Sequence, residues 1–483
     1  MKNDIINHIN ILQKGRSIAV LSFSMFFGWL LSLPFEGNVL YSLAGQYPQM
    51  DTQNLMTNVI LFHFIGLFTC GFYIKNSKTA KKMMLLSASI CALGSIVFLF
   101  PYSILWKISL NIIALVSGPV VASWSFWFRS EVTKSERIHF AADVLIYSNL
   151  FMIAIEVIAV NLSSIIGLVF AILLLVVAIP VIAKLPIGIQ ETEKYKEKKE
   201  NSVSAIKPFS ILFIFVTIIT INSGLMYAVI VPAFASHKFL TSWYWAVPYI
   251  VALYIMKKLP KEINRYNILT VAITMIGFAF VFFAVLDHSA PSYILINTLM
   301  LGACGVCDLF WWSILGEMLD FAKNPAKMFG IGISANVLGI LLGRLISAGI
   351  ESISLYSSFT TTHLALMVVL IIIILLPILY KQLNRVLKEH AFAVKIVEIS
   401  QKQNEEKRKQ GRHIDASAEL LLPNEFTERE KEITIKLLQG KTYKMIAEEL
   451  FVSENTIKFH IKNIYSKMEV HNKTELLKAL SER

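Results

Sequence analysis

The sequence predicts an all-α protein: about twelve membrane-spanning helices in two sets of six, a charged helical linker, and a small domain of four short helices. Three observations carry that prediction. The 483 residues are 55% hydrophobic and only 16% charged, with a mean hydropathy of +0.60, whereas a soluble chain carries about a quarter charged residues. Apolar runs near the length of a membrane span recur as far as Tyr380. After that residue the composition turns polar, and from Pro423 short amphipathic periods replace the apolar runs.

A helix crosses the hydrocarbon layer with about 20 apolar residues. Runs of that kind fall at 17–35, 54–74, 83–101, 104–127, 141–162 and 163–184. A second set falls at 209–233, 240–256, 267–286, 291–314, 328–349 and 361–380. The first run lacks a small-residue cleavage pattern and is followed by many like it, so a cleaved signal peptide is not expected. These runs assign 1–380 to a transmembrane domain, 381–419 to a linker and 420–483 to the terminal domain.

Basic residues orient the spans, because Lys/Arg-rich loops stay on the cytoplasmic side. Lys75, Lys78, Lys81 and Lys82 form one group, and Arg129, Lys134 and Arg137 the next. Lys194, Lys196, Lys198 and Lys199 follow, then Lys257, Lys258, Lys261 and Arg265, then Lys323 and Lys327. The alternate connections hold Glu36, Asp51, Asp287 and Glu351, with little that is basic beyond Lys238. Both termini are therefore expected in the cytoplasm.

Ionisable residues at membrane depth are costly and face a cavity or a partner. Glu156, Asp308, Arg344 and His63 lie within apolar runs. Asp308, Trp311, Glu156 and Arg344 are candidates for a ligand cavity, with Trp312, Trp124 and Trp127 as further apolar walls. Interhelical hydrogen bonds would explain the polar groups equally, and an interfacial belt the tryptophans. His63 reads as a helix–helix contact. Cys70, Cys91, Cys304 and Cys307 all sit in apolar runs and indicate packing, not disulfides or a metal site. No metal ligand set, cofactor motif or nucleophile–base grouping is present, and an enzyme is not expected.

In the linker, Leu383, Leu387, His390, Val394 and Val397 recur at spacings of four and three. A dimeric coil and a single helix lying on the inner leaflet, with Arg385, Lys388 and Lys395 toward headgroups, both fit that pattern.

The terminal domain carries the identifiable chemistry. Thr427-Glu-Arg-Glu430 is a capping box opening a first helix, buried through Ile433, Leu437 and Leu438 and stopped at Gly440. A second helix from about Thr442 to Leu450 leads through a tight link to Ser453, an N-cap for a third. That third helix has two faces. Ile457, Ile461, Ile464 and Met468 form an apolar stripe, while Lys458 and Lys462 stand one turn apart with Phe459 between them. A short helix, a tight turn and a basic amphipathic helix suit a major-groove reader. Asn472 and Glu475 cap a last helix.

Phe426-Thr427-Glu428-Arg429-Glu430-Lys431-Glu432-Ile433, Lys444-Met445-Ile446-Ala447-Glu448-Glu449-Leu450 and Val452-Ser453-Glu454-Asn455-Thr456-Ile457-Lys458-Phe459-His460 stand in that order. With Asn463 to Met468 and Asn472 to Glu475 they resemble the LuxR-type (NarL/FixJ-like) helix-turn-helix domain. Phe426, Met468 and Lys473 depart from its usual Leu, Leu and Arg. The resemblance implies that Lys458, Phe459 and Lys462 enter the major groove of double-stranded DNA and that Thr456 and Lys467 touch phosphates. It also implies dimerisation through the fourth helix. A homodimer and RNA polymerase are candidate partners, and the setting is a bacterial cytoplasmic (inner) membrane.

The two sets of spans share features. Basic patches follow the second span of each, at Lys75 to Lys82 and Lys257 to Arg265. The fourth span ends Trp124-Ser-Phe-Trp127-Phe-Arg129 and the tenth ends Phe310-Trp311-Trp312-Ser. This layout resembles the major facilitator superfamily, which implies a central site between two halves. Lys75-Asn76-Ser77-Lys78 stands where that family's Gly-rich Asp-Arg-x-Gly loop is found. The expectation is a membrane regulator sensing an unidentified small molecule or membrane state and binding DNA. The alternative is a secondary transporter with an appended DNA-binding domain.

Overall fold

A computed structural model describes residues 2–35, 37–48, 50–133, 136–187, 206–259, 265–354, 363–374, 425–438 and 441–481, with single positions 377, 381 and 423. Glu36, Lys134, Lys194 to Lys199, Lys261, Gly440 and the heptad-like linker positions lie outside them, as do the side chains of Arg265, Glu351 and Leu438. The chain divides into two compact units: Met1–Ile189 with Phe209–Leu379, and Gln190–Pro208 with Tyr380–Arg483.

The first unit is a helical bundle. Its first half comprises α1 (Lys2–Ser32), the short α2 (Asn38–Ala44), α3 (Thr52–Cys70), α4 (Ser77–Ile96), α5 (Ile104–Ser123), α6 (Ser125–Ser130), α7 (Arg137–Asn161) and α8 (Ser164–Ala183). The second comprises α9 (Ile206–Leu225), α10 (Val247–Lys258), α11 (Arg265–Val285), α12 (Ala290–Met318), α13 (Pro325–Ser354) and α14 (His363–Ile374).

Among the described residues, 10 helices are long and apolar enough to cross a membrane, against the twelve runs read from sequence. The eighth run is broken. Lys238–Thr241 and a tight turn at Tyr244–Ala246 precede α10, which starts one residue before Pro248. Proline lacks an N–H and is tolerated in the first turn of a helix but not inside it. Of the twelfth run, the 12 residues of α14 form the described helix. After α9 the chain widens into a π turn at Met226–Ile230 just before Pro232, the local adjustment that a missing N–H imposes.

Large apolar side chains such as Leu93, Ile104, Leu173, Val177, Ile255 and Val271 are exposed along the outer faces of the bundle. Exposed apolar surface of this extent suits hydrocarbon, not water, and marks a multi-pass membrane protein. Inside, small residues bring helices together: a Cβ on Gly66 of α3 would lie 2.0 Å from the Leu115 carbonyl oxygen of α5. The halves meet where α13 packs on α3 and α5, and where α10 and α12 pack on α7.

The connections bearing Lys75, Arg129, Lys257 and Lys323 share one end of the bundle, hereafter the basic end. There Asn324 donates to the carbonyls of Gly71 (2.9 Å) and Ile74 (2.8 Å), and Arg129 to that of Ala322 (3.1 Å).

The second unit contains α15 (Glu428–Leu438), α16 (Tyr443–Glu449), α17 (Glu454–Lys467) and α18 (Lys473–Ser481). Its own core is built from Phe426, Ile433, Leu437, Ile446, Ile457, Ile461, Ile464, Leu476 and Leu480. The capping box forms as the sequence predicts, with Thr427 N–H donating to Glu430 (2.7 Å) and Glu430 N–H to Thr427 Oγ1 (3.3 Å). Ser453 Oγ accepts from Thr456 N–H at 3.1 Å, and Asn472 Oδ1 from Glu475 N–H at 2.9 Å.

Between α16 and α17, Phe451 has φ 54° and is 94% exposed. That left-handed backbone costs a residue with a Cβ about 1–2 kcal/mol, and glycine recovers most of it while giving back some unfolded-chain entropy. Phe451→Gly is expected to stabilise a 420–483 fragment by roughly 0.5–1 kcal/mol. Urea unfolding checks this, and an unchanged or lower midpoint would contradict it.

Candidate functional site

In the terminal domain, burial of Ile457, Ile461 and Ile464 fixes how α17 is turned about its axis. The same rotation leaves Lys458, Phe459 and Lys462 exposed on the opposite face, with Phe459 62% exposed. Lys458 makes one exposed ion pair with Glu454, one turn back, at 2.8 Å; such surface pairs are worth about 0–1 kcal/mol and release easily. Thr456 is half-buried and its hydroxyl meets Ser453 Oγ at 2.8 Å, inside the cap.

Lys467 differs from the other basic residues of α17. Its ammonium donates to the Glu425 carbonyl (2.9 Å) and to Glu430 (2.7 Å), a carboxylate only 3% exposed. Nothing local in the sequence links positions 37 residues apart, so this pairing was not legible there. Burial would raise the Glu430 carboxyl, but the Lys467 ammonium and the Thr427 N–H outweigh it and hold the group below its usual 4.5. A carboxylate with a depressed folded pKa stabilises the fold above its unfolded pKa, and that contribution disappears as pH falls through the folded pKa. The 420–483 fragment should therefore lose stability on acidification below about pH 4.5. Glu430→Gln should be less stable near neutrality and show a shallower acid limb. Parallel acid limbs for the two proteins would contradict this.

In the bundle, the described residues include a cavity of about 120 Å³ between the two halves. From the first half, α1 contributes Phe27, the segment after it Phe35, α3 His63 and α7 Asn149; from the second, Tyr227, Tyr249, Asp308, Trp311, Trp312 and Asn336 line it. Tyr227 belongs to the π turn, so the widened backbone before Pro232 shapes the wall. Asp308 keeps accessible surface despite its position mid-helix, and it lines the cavity. Its Oδ2 accepts from Tyr249 Oη (2.7 Å) and its Oδ1 from Trp311 Nε1 (3.1 Å).

The four residues read from sequence as one cavity therefore separate. Asp308 and Trp311 line it; Glu156 and Arg344 do not, and both link the halves away from the basic end. Glu156 accepts from the Asn38 backbone N–H (3.0 Å), Asn38 Nδ2 (2.8 Å) and, across the halves, Trp245 Nε1 (2.8 Å). Arg344 Nη2 donates to Gln53 Oε1 at 2.5 Å. His63 Nδ1 lies 2.7 Å from Ser117 Oγ and 3.2 Å from the Ala114 carbonyl, the helix contact expected of it, and its ring also reaches the cavity.

The tryptophans do not form an interfacial belt: Trp124, Trp127, Trp311 and Trp312 are all buried. Trp124 is stacked between Phe23 (4.4 Å) and Phe140 (5.0 Å) and touches Trp312 and Phe329 of the other half. Trp312 belongs both to this aromatic cluster and to the cavity lining, and Trp124 also packs on Phe128, next to Arg129 of the basic end. There Arg137, 3% exposed, forms two hydrogen bonds with Asp320 (2.6 and 3.0 Å) and one with the Gly316 carbonyl (2.8 Å). Asp143 of α7 is paired with both Arg16 and Lys257. Sequence signalled none of these partners, since each lies more than 100 residues away.

Comparison with known proteins bears on each unit. The profile of the family described as "Bacterial regulatory proteins, luxR family" matches residues 424–480. The transcriptional regulatory protein LiaR of Bacillus subtilis (strain 168) is 48% identical over 60 residues, 12% of this chain and 28% of LiaR. The CsgBAC operon transcriptional regulatory protein of Escherichia coli (strain K12) is 49% identical over 50 residues, 10% of this chain and 23% of that protein. The spore germination protein GerE of Bacillus subtilis (strain 168) is 44% identical over 50 residues, 10% of this chain and 68% of GerE. The chain thus spans about a quarter of the length of LiaR and of the CsgBAC regulator, and two thirds of GerE. Among solved structures, the human organic anion transporter MFSD10 (TETRAN) superposes with a TM-score of 0.57 at 14% identity, over 75% of this chain and 98% of that one. At that identity the likeness is one of fold: the bundle has the major facilitator architecture.

Proposed function

Because this chain belongs to the luxR family of bacterial regulatory proteins through residues 424–480, we propose that it is a transcriptional regulator held in the cytoplasmic membrane by its helical bundle. The observation that carries this reading is the exposed Lys458–Phe459–Lys462 face on a capped helix, joined in one chain to a membrane bundle. Lysine ammonium groups one turn apart can donate to guanine O6 and N7 or to phosphates, and the ring between them can meet a thymine methyl. Thr456 would approach the backbone of double-stranded DNA at the start of α17. Lys467 would reach a phosphate by exchanging its Glu430 partner.

The basic end of the bundle belongs on the cytoplasmic side, by the distribution of lysine and arginine, which places both termini there. The bundle is the sensing part. A small molecule entering the cavity beside Asp308 and Trp311 would favour one arrangement of the two halves over another, and only a difference in affinity between arrangements can shift that balance. Glu156 with Trp245, and Arg344 with Gln53, would hold the end opposite the basic end closed. Pairing of two chains would present two recognition helices to paired half-sites, and RNA polymerase is the natural recipient of the signal.

Chromatin immunoprecipitation of the full chain from membranes tests this function. Enrichment of a few promoter fragments, lost when Lys458 and Lys462 become alanine, is expected. Uniform recovery of the genome from both forms would overturn it.

A further inference from the structure

The cavity and the ionic bookkeeping of the bundle point to a ligand class. We propose that the cavity binds a small organic cation bearing an aromatic ring, with the Asp308 carboxylate as its counter-charge. The inference rests on the reading of the bundle as the sensing part, and it deepens that reading by naming what is sensed.

Three observations support it. Among the described residues lining the cavity, Asp308 is the sole carboxylate, and none is a lysine or arginine. Among the described residues its oxygens accept from two neutral donors, Tyr249 and Trp311, whereas an ionised carboxylate offers about four acceptor sites. The other acidic groups that link the helices hold stronger or more numerous partners. Asp143 has Arg16 and Lys257, Asp320 has Arg137, and Glu156 has three N–H donors. A carboxylate held in a low-dielectric cavity without a cation is costly, so a cationic ligand completes what the protein leaves open.

The walls match the same chemistry. Phe27, Trp245, Trp311, Trp312, Tyr227 and Tyr249 line the same cavity as the carboxylate, and Tyr249 and Trp311 bond to it directly. Aromatic faces attract cations, most strongly when water is excluded. The volume of about 120 Å³ is of the order at which an internal cavity admits a single ring, as a cavity of roughly 150 Å³ admits benzene. His63 is held elsewhere, its Nδ1 meeting Ser117 Oγ and the Ala114 carbonyl, and Asp308 bonds to Tyr249 and Trp311 instead. An anion would meet Asp308 without a compensating cation, and a neutral ring would leave its acceptors unmatched.

The experiment titrates the purified full chain, in lipid nanodiscs, with phenethylammonium, the uncharged 2-phenylethanol and the anionic phenylacetate. Quenching of tryptophan fluorescence reports occupancy. Phenethylammonium is expected to bind at least about tenfold more tightly than 2-phenylethanol, a difference of about 1.4 kcal/mol, and phenylacetate not at all. Asp308→Asn should reduce the preference for the ammonium to about twofold or less, while Asp308→Glu should retain most of it. Equal binding of ammonium and alcohol, no binding of the ammonium to the wild type, or a preference that survives Asp308→Asn would each overturn the proposal. If Asp308→Asn does not fold, the comparison of the three probes on the wild type still decides. A parallel transcript measurement separates the two claims. Ammonium binding with no change in transcripts defeats the sensing reading and leaves the cation site standing. A transcript response to some other compound, with no ammonium binding, does the reverse.

Discussion

Changing Lys458 and Lys462 together to alanine is expected to weaken binding of the full chain to a promoter fragment by roughly 30- to 1,000-fold, taking about 1–2 kcal/mol for each groove-facing or phosphate-contacting cation. The reasoning is local. Ile457, Ile461 and Ile464 are buried, so α17 can present only one face outward, and both lysines stand on it. Neither is part of the core, and the pair between Lys458 and Glu454 is exposed, so the domain should keep its fold and melting behaviour. The salt dependence of binding should also change, with the slope of log affinity against log salt falling by about 2 as two cations cease to displace counterions. Fluorescence anisotropy at several salt concentrations checks both numbers. Lys441→Ala is the control, because that ammonium is committed to Glu449 on α16. An unaltered slope in the double variant would remove α17 from the interface.

The second large effect belongs to the bundle. Arg137→Leu should destabilise it by about 3–5 kcal/mol, the cost of breaking a largely buried ion pair by removing one partner. Arg137 joins α7 of the first half to Asp320 and the Gly316 carbonyl of the second. Its removal leaves the Asp320 carboxylate, with only 19% of its side chain accessible, short of its bidentate partner. The double change Arg137→Leu/Asp320→Leu should recover most of the loss, because two well-packed apolar groups replace the pair. Thermal unfolding of the three proteins in one detergent tests this. Equal losses in the single and double variants would mean that packing, not charge pairing, holds the two halves together there.

What could be read from the sequence was mostly what is local in it. Thr427 and Glu430, Ser453 and Thr456, and Asn472 and Glu475 each lie three residues apart, and their caps form as the spacing requires. The stripe of Ile457, Ile461 and Ile464 fixed both the core of the domain and its exposed basic face. Apolar runs located the spans for the same reason: hydrocarbon imposes a length and a composition that need no knowledge of neighbours. The eighth run is broken, and Pro248 was the visible signal that its helix could not begin where the apolar run did; of the twelfth run, His363–Ile374 is the described helix.

Long-range partners were not legible. Glu156 and Arg344 look alike in sequence to Asp308, as single ionisable residues in apolar runs. Yet the fold commits Glu156 to Asn38 and Trp245, and Arg344 to Gln53, and leaves only Asp308 lining the cavity. The tryptophans were ambiguous because a position near a helix end fits both a headgroup belt and a core. Stacking of Trp124 on Phe23 and Phe140 decides for the core. Lys467 was legible as a basic residue of α17, but its Glu430 partner depended on how α15 packs against α17.

The central claim is that the membrane bundle and the DNA-binding domain serve one output, the control of transcription. The most direct test compares transcript profiles of three strains: wild type, a deletion of the gene, and a chromosomal Lys458→Ala/Lys462→Ala variant. The account predicts that the double variant reproduces every transcript change of the deletion, and that the two strains take up and expel test compounds equally. A deletion that loses transport of a compound while the double variant retains it would contradict the account, and would make the bundle a transporter in its own right.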